Sequence, residues 1–179
     1  EVCNMAGVVV AVPISRRIGK RSTFAVSCIG MAILSCLFFY LPCTNVGFIT
    51  MLLLQILISV CTGIISPLIW SMYADVADYA AVKDNTSSTG LIFSSGSMAQ
   101  KFGGAIAGSA VLWLFAAFGL VPNALHQTDS AILGMKLTMS YIPAAVAVMM
   151  VVIMIVYPLT KSKMKEINAK LKGIRKIED

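Results

Sequence analysis

The chain reads as an all-α membrane protein. Hydrophobic residues make up 58% of it and charged residues 12%, well below the roughly one-quarter charged share of a soluble domain. No residue from 22 to 74 carries a charge, and a soluble domain of 179 residues could not hide so long an apolar run from water. Half of the 14 basic residues behind the net charge of +6 lie beyond Thr160. That bunching points to a membrane surface rather than to nucleic acid.

Residues 1–14 come first. They are apolar after Glu1 but shorter than the roughly 20 residues needed to cross a bilayer. They lack the basic flank and small-residue cleavage site of a signal peptide. A truncated transmembrane helix fits them, its start lying upstream, so the chain is expected to be a fragment. Residues 15–22 hold SRRIGKR, a basic loop. A transmembrane helix over 23–41 follows and stops at Pro42 in the neutral turn LPCTN. Further spans are expected over 46–74, 90–120 and 137–160, since proline and glycine inside such helices are tolerated. Residues 75–89 then form a loop on the basic side, 121–136 a loop on the other side, and 161–179 a basic tail.

Orientation follows from the cations. Alternating spans put Arg16, Arg17, Lys20, Arg21, Lys83 and the tail on one side, and only Lys136 on the other. The positive-inside rule makes the basic side, and with it the C-terminus, cytoplasmic, as in a multi-pass protein of the cell (inner) membrane. In the tail, Met164, Ile167, Leu171 and Ile174 recur at helical steps among lysines. This suits a helix with its apolar stripe in the inner leaflet; a frayed, solvated tail is the alternative, because Gly173 weakens the pattern.

The five cysteines, Cys3, Cys28, Cys36, Cys43 and Cys61, form no CxxC pair and read as small packing residues rather than metal ligands. His126 falls in the outer loop and reads as solvated.

Lys101 is the sharpest functional signal. Counting from Gly90 it lies roughly 16 Å into its span at 1.5 Å per residue, where a charge costs about 3 kcal/mol on insertion scales. Such a charge persists where it faces a polar cavity or a carboxylate, as in ion and proton pathways; the bland alternative is a lysine paired only to hold helices together. Ser94, Ser97 and Lys101 share one helical face, and Gln100 adds an amide beside it. Gly104 and Gly108 follow in GxxxG spacing, a close-packing seam. In the preceding span Pro67 bends the helix, with Ser66 and Trp70 on one face across the bend. Trp70 can stack on a sugar ring, or simply pack in lipid.

Asp75 and Asp78, beside Tyr79, close the 46–74 span. Carboxylates are the wrong sign for a helix C-terminus, so a compensating cation is expected. Arg16 and Arg17 of SRRIGKR supply the nearest positive charge, and the set reads as a breakable latch on the cytoplasmic side; a solvated loop is the alternative.

At this point the sequence resembles the glycoside-pentoside-hexuronide cation symporters, the melibiose permease group of the major facilitator superfamily. ADVADYAAVK resembles the end of that family's tenth helix, and SMAQKFGGAIAG its lysine-bearing eleventh. VPISRRIGKR is similar to its basic loop after the eighth, and GLVPNALHQTDSAILGMK to its last outer loop. The resemblance covers nearly the whole chain. It implies the C-terminal portion of a twelve-helix major facilitator superfamily transporter, moving a sugar or glycoside together with sodium or a proton by alternating access. It places Lys101 near the cation site, and Ser97, Gln100 and the stretch around Ser66 near the sugar. Melibiose permeases carry an aromatic ring where Ser66 stands, and Ala81 and Ser87 replace a glutamate and an arginine that the family often has. The implied partners are the substrate, a monovalent cation, the bilayer and an N-terminal half holding the cation-binding aspartates; no enzyme activity and no cofactor are implied. Two other classes compete: a non-transporting membrane scaffold, which does not explain Lys101, and a membrane enzyme with metal on Asp75 and Asp78, which has too few nearby acids.

Overall fold

The computed structural model describes residues 2–41, 45–84, 88–122, 124 and 126–178, with backbone alone at 45, 84 and 172–178. Glu1, the turn residues Pro42 and Cys43, and Ser87 lie outside the described residues, as does the side chain of Ile174. Seven helices follow in order: α1 (Val2–Ile18), α2 (Lys20–Phe39), α3 (Asn45–Asp84), α4 (Thr89–Ala117), α5 (Asp129–Met139), α6 (Tyr141–Val156) and α7 (Lys161–Glu178). The described residues contain no strand.

Helix ends differ from the expected span ends, each for a local reason. The basic stretch 15–22 is not a loop. Its helix runs to Ile18, and the break is Gly19 alone, at φ +99°, a backbone conformation that glycine adopts without steric penalty. Asp75 and Asp78 do not end a helix either. No proline or glycine interrupts residues 68–89, so α3 continues to Asp84 with Lys83 in its last turn, the favourable sign for that end. At 40 residues it is roughly 60 Å long at 1.5 Å per residue, about twice the hydrocarbon thickness.

The last span starts earlier than 137. Thr128 caps α5, its Oγ1 accepting from the Ala131 N–H at 3.2 Å. Helix then breaks at Ser140, because Pro143 has no N–H to donate and its ring crowds the carbonyl four residues back. Three segments are long and apolar enough to cross a membrane: Lys20–Phe39, Val46–Lys83 and Asp129–Val156. Together with their exposed apolar surface, they describe a multi-pass membrane protein. Although α4 has 29 residues, it is not among them, because its serines, Gln100 and Lys101 dilute the apolar content.

The core lies where α1, α2, α3 and α6 meet. Ala11, Phe24, Cys28, Ile64, Ile65, Leu68 and Met72 are buried together, with Met150, Val151, Met154 and Tyr157 packed against them. In a bilayer the drive for such contact is close packing rather than escape from water, so small residues dominate the seams. Ala32 meets Ala144 and Ala147 between α2 and α6. Between α1 and α3 the backbones approach so closely that a Cβ on Gly7 would strike the Val60 carbonyl, and one on Gly63 the Asn4 carbonyl. The expected seam at Gly104 and Gly108 is instead open, with nothing within 4 Å of either.

Correspondingly, α4 stands at the edge of the bundle. It touches α3 through Gly96, packed on the Tyr73 ring, and α5 through Phe118, packed on Gly134. Residues 98–110 are exposed throughout.

The tail helix also differs from its expected place. Within its apolar stripe Ile167 is buried, Met164 and Leu171 are half-buried, and α7 packs on α3. The reason is the continuation of α3 past Asp75, which supplies a protein surface where the bundle was expected to end.

Candidate functional site

Two groups of polar residues stand out, one at the basic end of the bundle and one along α4. At the basic end, Gly19 turns the chain so that Lys20 opens α2 facing α3. Lys20 Nζ lies 2.6 Å from Asp75 Oδ1 and 2.8 Å from Oδ2, and donates to the Ser71 carbonyl at 3.3 Å. The Asp75 side chain is only 13% exposed, so this is a partly desolvated, bidentate pair rather than a loose surface contact. Asp75 therefore does have the cation that its charge calls for. The partner is Lys20, and the expected arginines are elsewhere.

Arg16 and Arg17 contribute their backbones instead. Lys161 Nζ donates to the Arg16 carbonyl at 2.7 Å and the Arg17 carbonyl at 2.9 Å, meeting the unsatisfied C=O groups at the end of α1. Arg21 does the same for α6, donating from Nη2 to the Ile155 carbonyl at 2.8 Å. Three cations thus tie five helices, α1, α2, α3, α6 and α7, together at one end. Asp78 is half-buried and has no ion pair among the described residues. Tyr79 takes the Lys83 ammonium over its ring at 5.7 Å, a cation–π contact.

Tyr157, just beyond the last apolar segment, was not legible as a site residue. Its hydroxyl is buried with no hydrogen-bond partner among the described residues. Burial, and secondly the Asp75 carboxylate, push the phenol up to about 12. Both raise it for the same reason: they disfavour a negative charge there.

The second group follows α4. Trp70 stacks on Phe93 at 6.1 Å between centroids and 16° between planes, and meets Tyr73 edge-on at 5.8 Å. One indole face is thereby occupied by protein. Ser66 is exposed across the Pro67 position. Phe93, Ser97, Gln100 and Lys101 continue along neighbouring positions of α4 at helical spacing. Ser94 turns its hydroxyl back to the Leu91 carbonyl at 3.0 Å. Gln100 and Lys101 are exposed, Ser97 half-buried, and Lys101 has no ion pair among the described residues. The Trp70–Phe93 contact joins α3 to α4, with Ser66 one turn before Trp70 on α3 and Ser97, Gln100 and Lys101 one to two turns beyond Phe93 on α4.

The residues missed at the basic end are Lys20, Arg21, Tyr157 and Lys161. Gly19 within RRIGKR was the available signal, since a helix-breaking glycine among cations redirects the ones that follow. Nothing local marks Tyr157.

Residues 2–161 match the family described as MFS/sugar transport protein. The chain is 28% identical over 182 residues to a glucuronide carrier protein homolog of Escherichia coli (strain K12), covering 99% of this chain and 39% of that one. It is 25% identical over 155 residues to a putative glycoside/cation symporter of the same organism, covering 87% of this chain and 33% of that one. An uncharacterised 29.9 kDa protein of Pseudescherichia vulneris is 29% identical over 172 residues, with 96% and 62% covered. The chain thus spans between a third and three-fifths of the length of these relatives. No solved structure matches it.

Proposed function

Because the chain belongs to the MFS/sugar transport protein family, within its glycoside-pentoside-hexuronide:cation symporter-like members, we propose that it forms part of a carrier moving a glycoside or hexuronide together with sodium or a proton. The observation that carries the reading is Lys101. It is an exposed cation in the middle of a 29-residue helix, with serine and amide neighbours and no ion pair among the described residues. A charge in that position needs a polar partner to persist in lipid, and the remaining helices of a two-half transporter are the natural source of that carboxylate. A scaffold has no use for it.

Within this reading Lys101 couples the cation to the sugar. Ser66, Trp70, Ser97 and Gln100 face the substrate, with the site near the bilayer midplane as in secondary transporters. The Lys20–Asp75 pair stiffens the basic end, which lies in the cytoplasm, while Asp78 and Tyr79 remain near enough to join a gate when the cavity turns. The carrier sits in the inner membrane.

Uptake of a labelled glucuronide or galactoside, in cells expressing the whole carrier, tests the reading. Lys101→Val is expected to abolish accumulation against a gradient while the protein still reaches the membrane. Accumulation at the unsubstituted level would remove the coupling role.

A further inference from the structure

We propose that the cleft between the Gly19 break and the first turn of α7 binds a phosphoryl anion, either a phospholipid headgroup or free phosphate. The inference does not depend on transport, and it uses charges that the proposed carrier mechanism leaves idle.

The cleft has a volume of about 670 Å³ and is lined by five cations, Arg16, Lys20, Arg21, Lys161 and Lys165, against the single carboxylate of Asp75. Three of the five are committed: Lys20 to Asp75, Arg21 to the end of α6, and Lys161 to the end of α1. Those bonds hold the walls in place. Arg16 and Lys165 are exposed and form no ion pair among the described residues, so their charge faces the cleft uncompensated. Two unpaired cations, one from α1 and one from α7, beside a preformed space suit a polyvalent oxyanion, and a guanidinium matches phosphate oxygens two at a time.

The backbone reinforces the field. Both α2 and α7 begin at this cleft, Gly19 supplies no side-chain cap to α2, and α7 has no acid in its first turn. Each N-terminus therefore keeps its partial positive charge directed at the same space. Ser162 and Asn168 add neutral donors to the lining. One further property narrows the ligand. Ile18, Leu159 and Met164 also line the cleft, so apolar surface lies beside the cations, which suits a phosphate ester carrying an apolar substituent. The volume accommodates such a group.

The full chain, purified in a neutral detergent, is titrated with inorganic phosphate at constant ionic strength, and the unfolding temperature is followed. In parallel it is reconstituted in phosphatidylcholine vesicles with increasing phosphatidylglycerol. A saturable rise with phosphate assigns the site to the free anion; a rise with phosphatidylglycerol alone assigns it to the headgroup. In either case the double variant Arg16→Gln with Lys165→Gln should need about tenfold more ligand for half of the effect. Arg17→Gln with Lys163→Gln removes the same charge from the same two helices outside the cleft, and should shift the midpoint by less than about twofold. All four side chains are exposed, so both doubles should unfold at the unsubstituted temperature when no ligand is present. No response to either ligand would overturn the site. So would equal losses in the two doubles, because diffuse surface charge would then account for the binding.

Discussion

Lys20 Nζ and the two carboxylate oxygens of Asp75, 2.6 and 2.8 Å apart, bring together residues 55 positions apart in the chain. The pair ties the first turn of α2 to the continuation of α3. Because Asp75 is largely buried, removing Lys20 leaves a carboxylate with little access to water.

Lys20→Met is therefore expected to destabilise the chain by about 1–3 kcal/mol, as for a buried charge stripped of its partner. Arg16→Gln and Asp78→Asn should stay within about 0.5 kcal/mol, since neither side chain has an ion pair among the described residues. Thermal or denaturant unfolding in detergent gives the comparison. The exchange Lys20→Asp with Asp75→Lys should recover part of the loss. Equal effects of Lys20→Met and Arg16→Gln would mean that the pair contributes no more than surface charge.

The α1–α3 crossing gives a steric prediction. A side chain at Gly63 meets the Asn4 backbone, which has no rotamer to move. Gly63→Leu should cost about 3 kcal/mol or more, at or beyond the usual range for overpacking. Gly104→Leu, at an open position, should leave the stability of this chain nearly unchanged. If the two substitutions are equally tolerated, the helices do not cross as closely as described.

Tyr157 gives a prediction in pH. Its phenol, ordinarily near 10, is raised to about 12, so the fold favours the protonated form. The associated stability is fully present below pH 10. It is lost as pH climbs from 10 towards 12, where the unfolded chain ionises and the folded one does not. Tyr157→Phe should flatten that part of the stability profile and remove one late-titrating phenol from an absorbance titration. It should also leave stability at pH 7 unchanged or slightly higher, because a buried hydroxyl without a partner is lost. An unchanged alkaline profile would place the hydroxyl in water.

The proposed orientation predicts a labelling pattern. With the native cysteines replaced, a cysteine at Lys170 in intact cells should resist an impermeant thiol reagent, and one at His126 should react. Both positions are exposed, so burial does not confuse the readout. The reverse pattern would put the Lys20–Asp75 pair outside the cell.

Much of the fold was legible because membrane helices announce themselves locally. The uncharged run, the lysine inside α4 and the basic clusters are properties of short windows, and lipid demands that their backbones satisfy themselves as helices. Misplaced boundaries have one cause. A charged residue marks where a span leaves the bilayer, whereas the helix stops only where the backbone is interrupted, as at Gly19 or ahead of Pro143. Asp75 satisfies the first condition and not the second, so α3 runs on and takes up the stripe of α7 that was assigned to lipid.

The sequence by itself determined that this is an all-α membrane protein, that a lysine lies in the middle of one of its long helices, and that one end of it is basic. Tertiary structure alone decided which cation meets Asp75. Arg16, Arg17, Lys20 and Arg21 are nearly equivalent as charges in a window, and alternation of spans puts all four at the same end as Asp75. They differ in direction, because Gly19 rotates α2 relative to α1. Small residues such as Gly63 and Ala32 then set how closely α1, α3, α2 and α6 approach. An ion pair needs its atoms within about 3 Å, and that distance depends on how the helices pack, which no single stretch of the chain encodes.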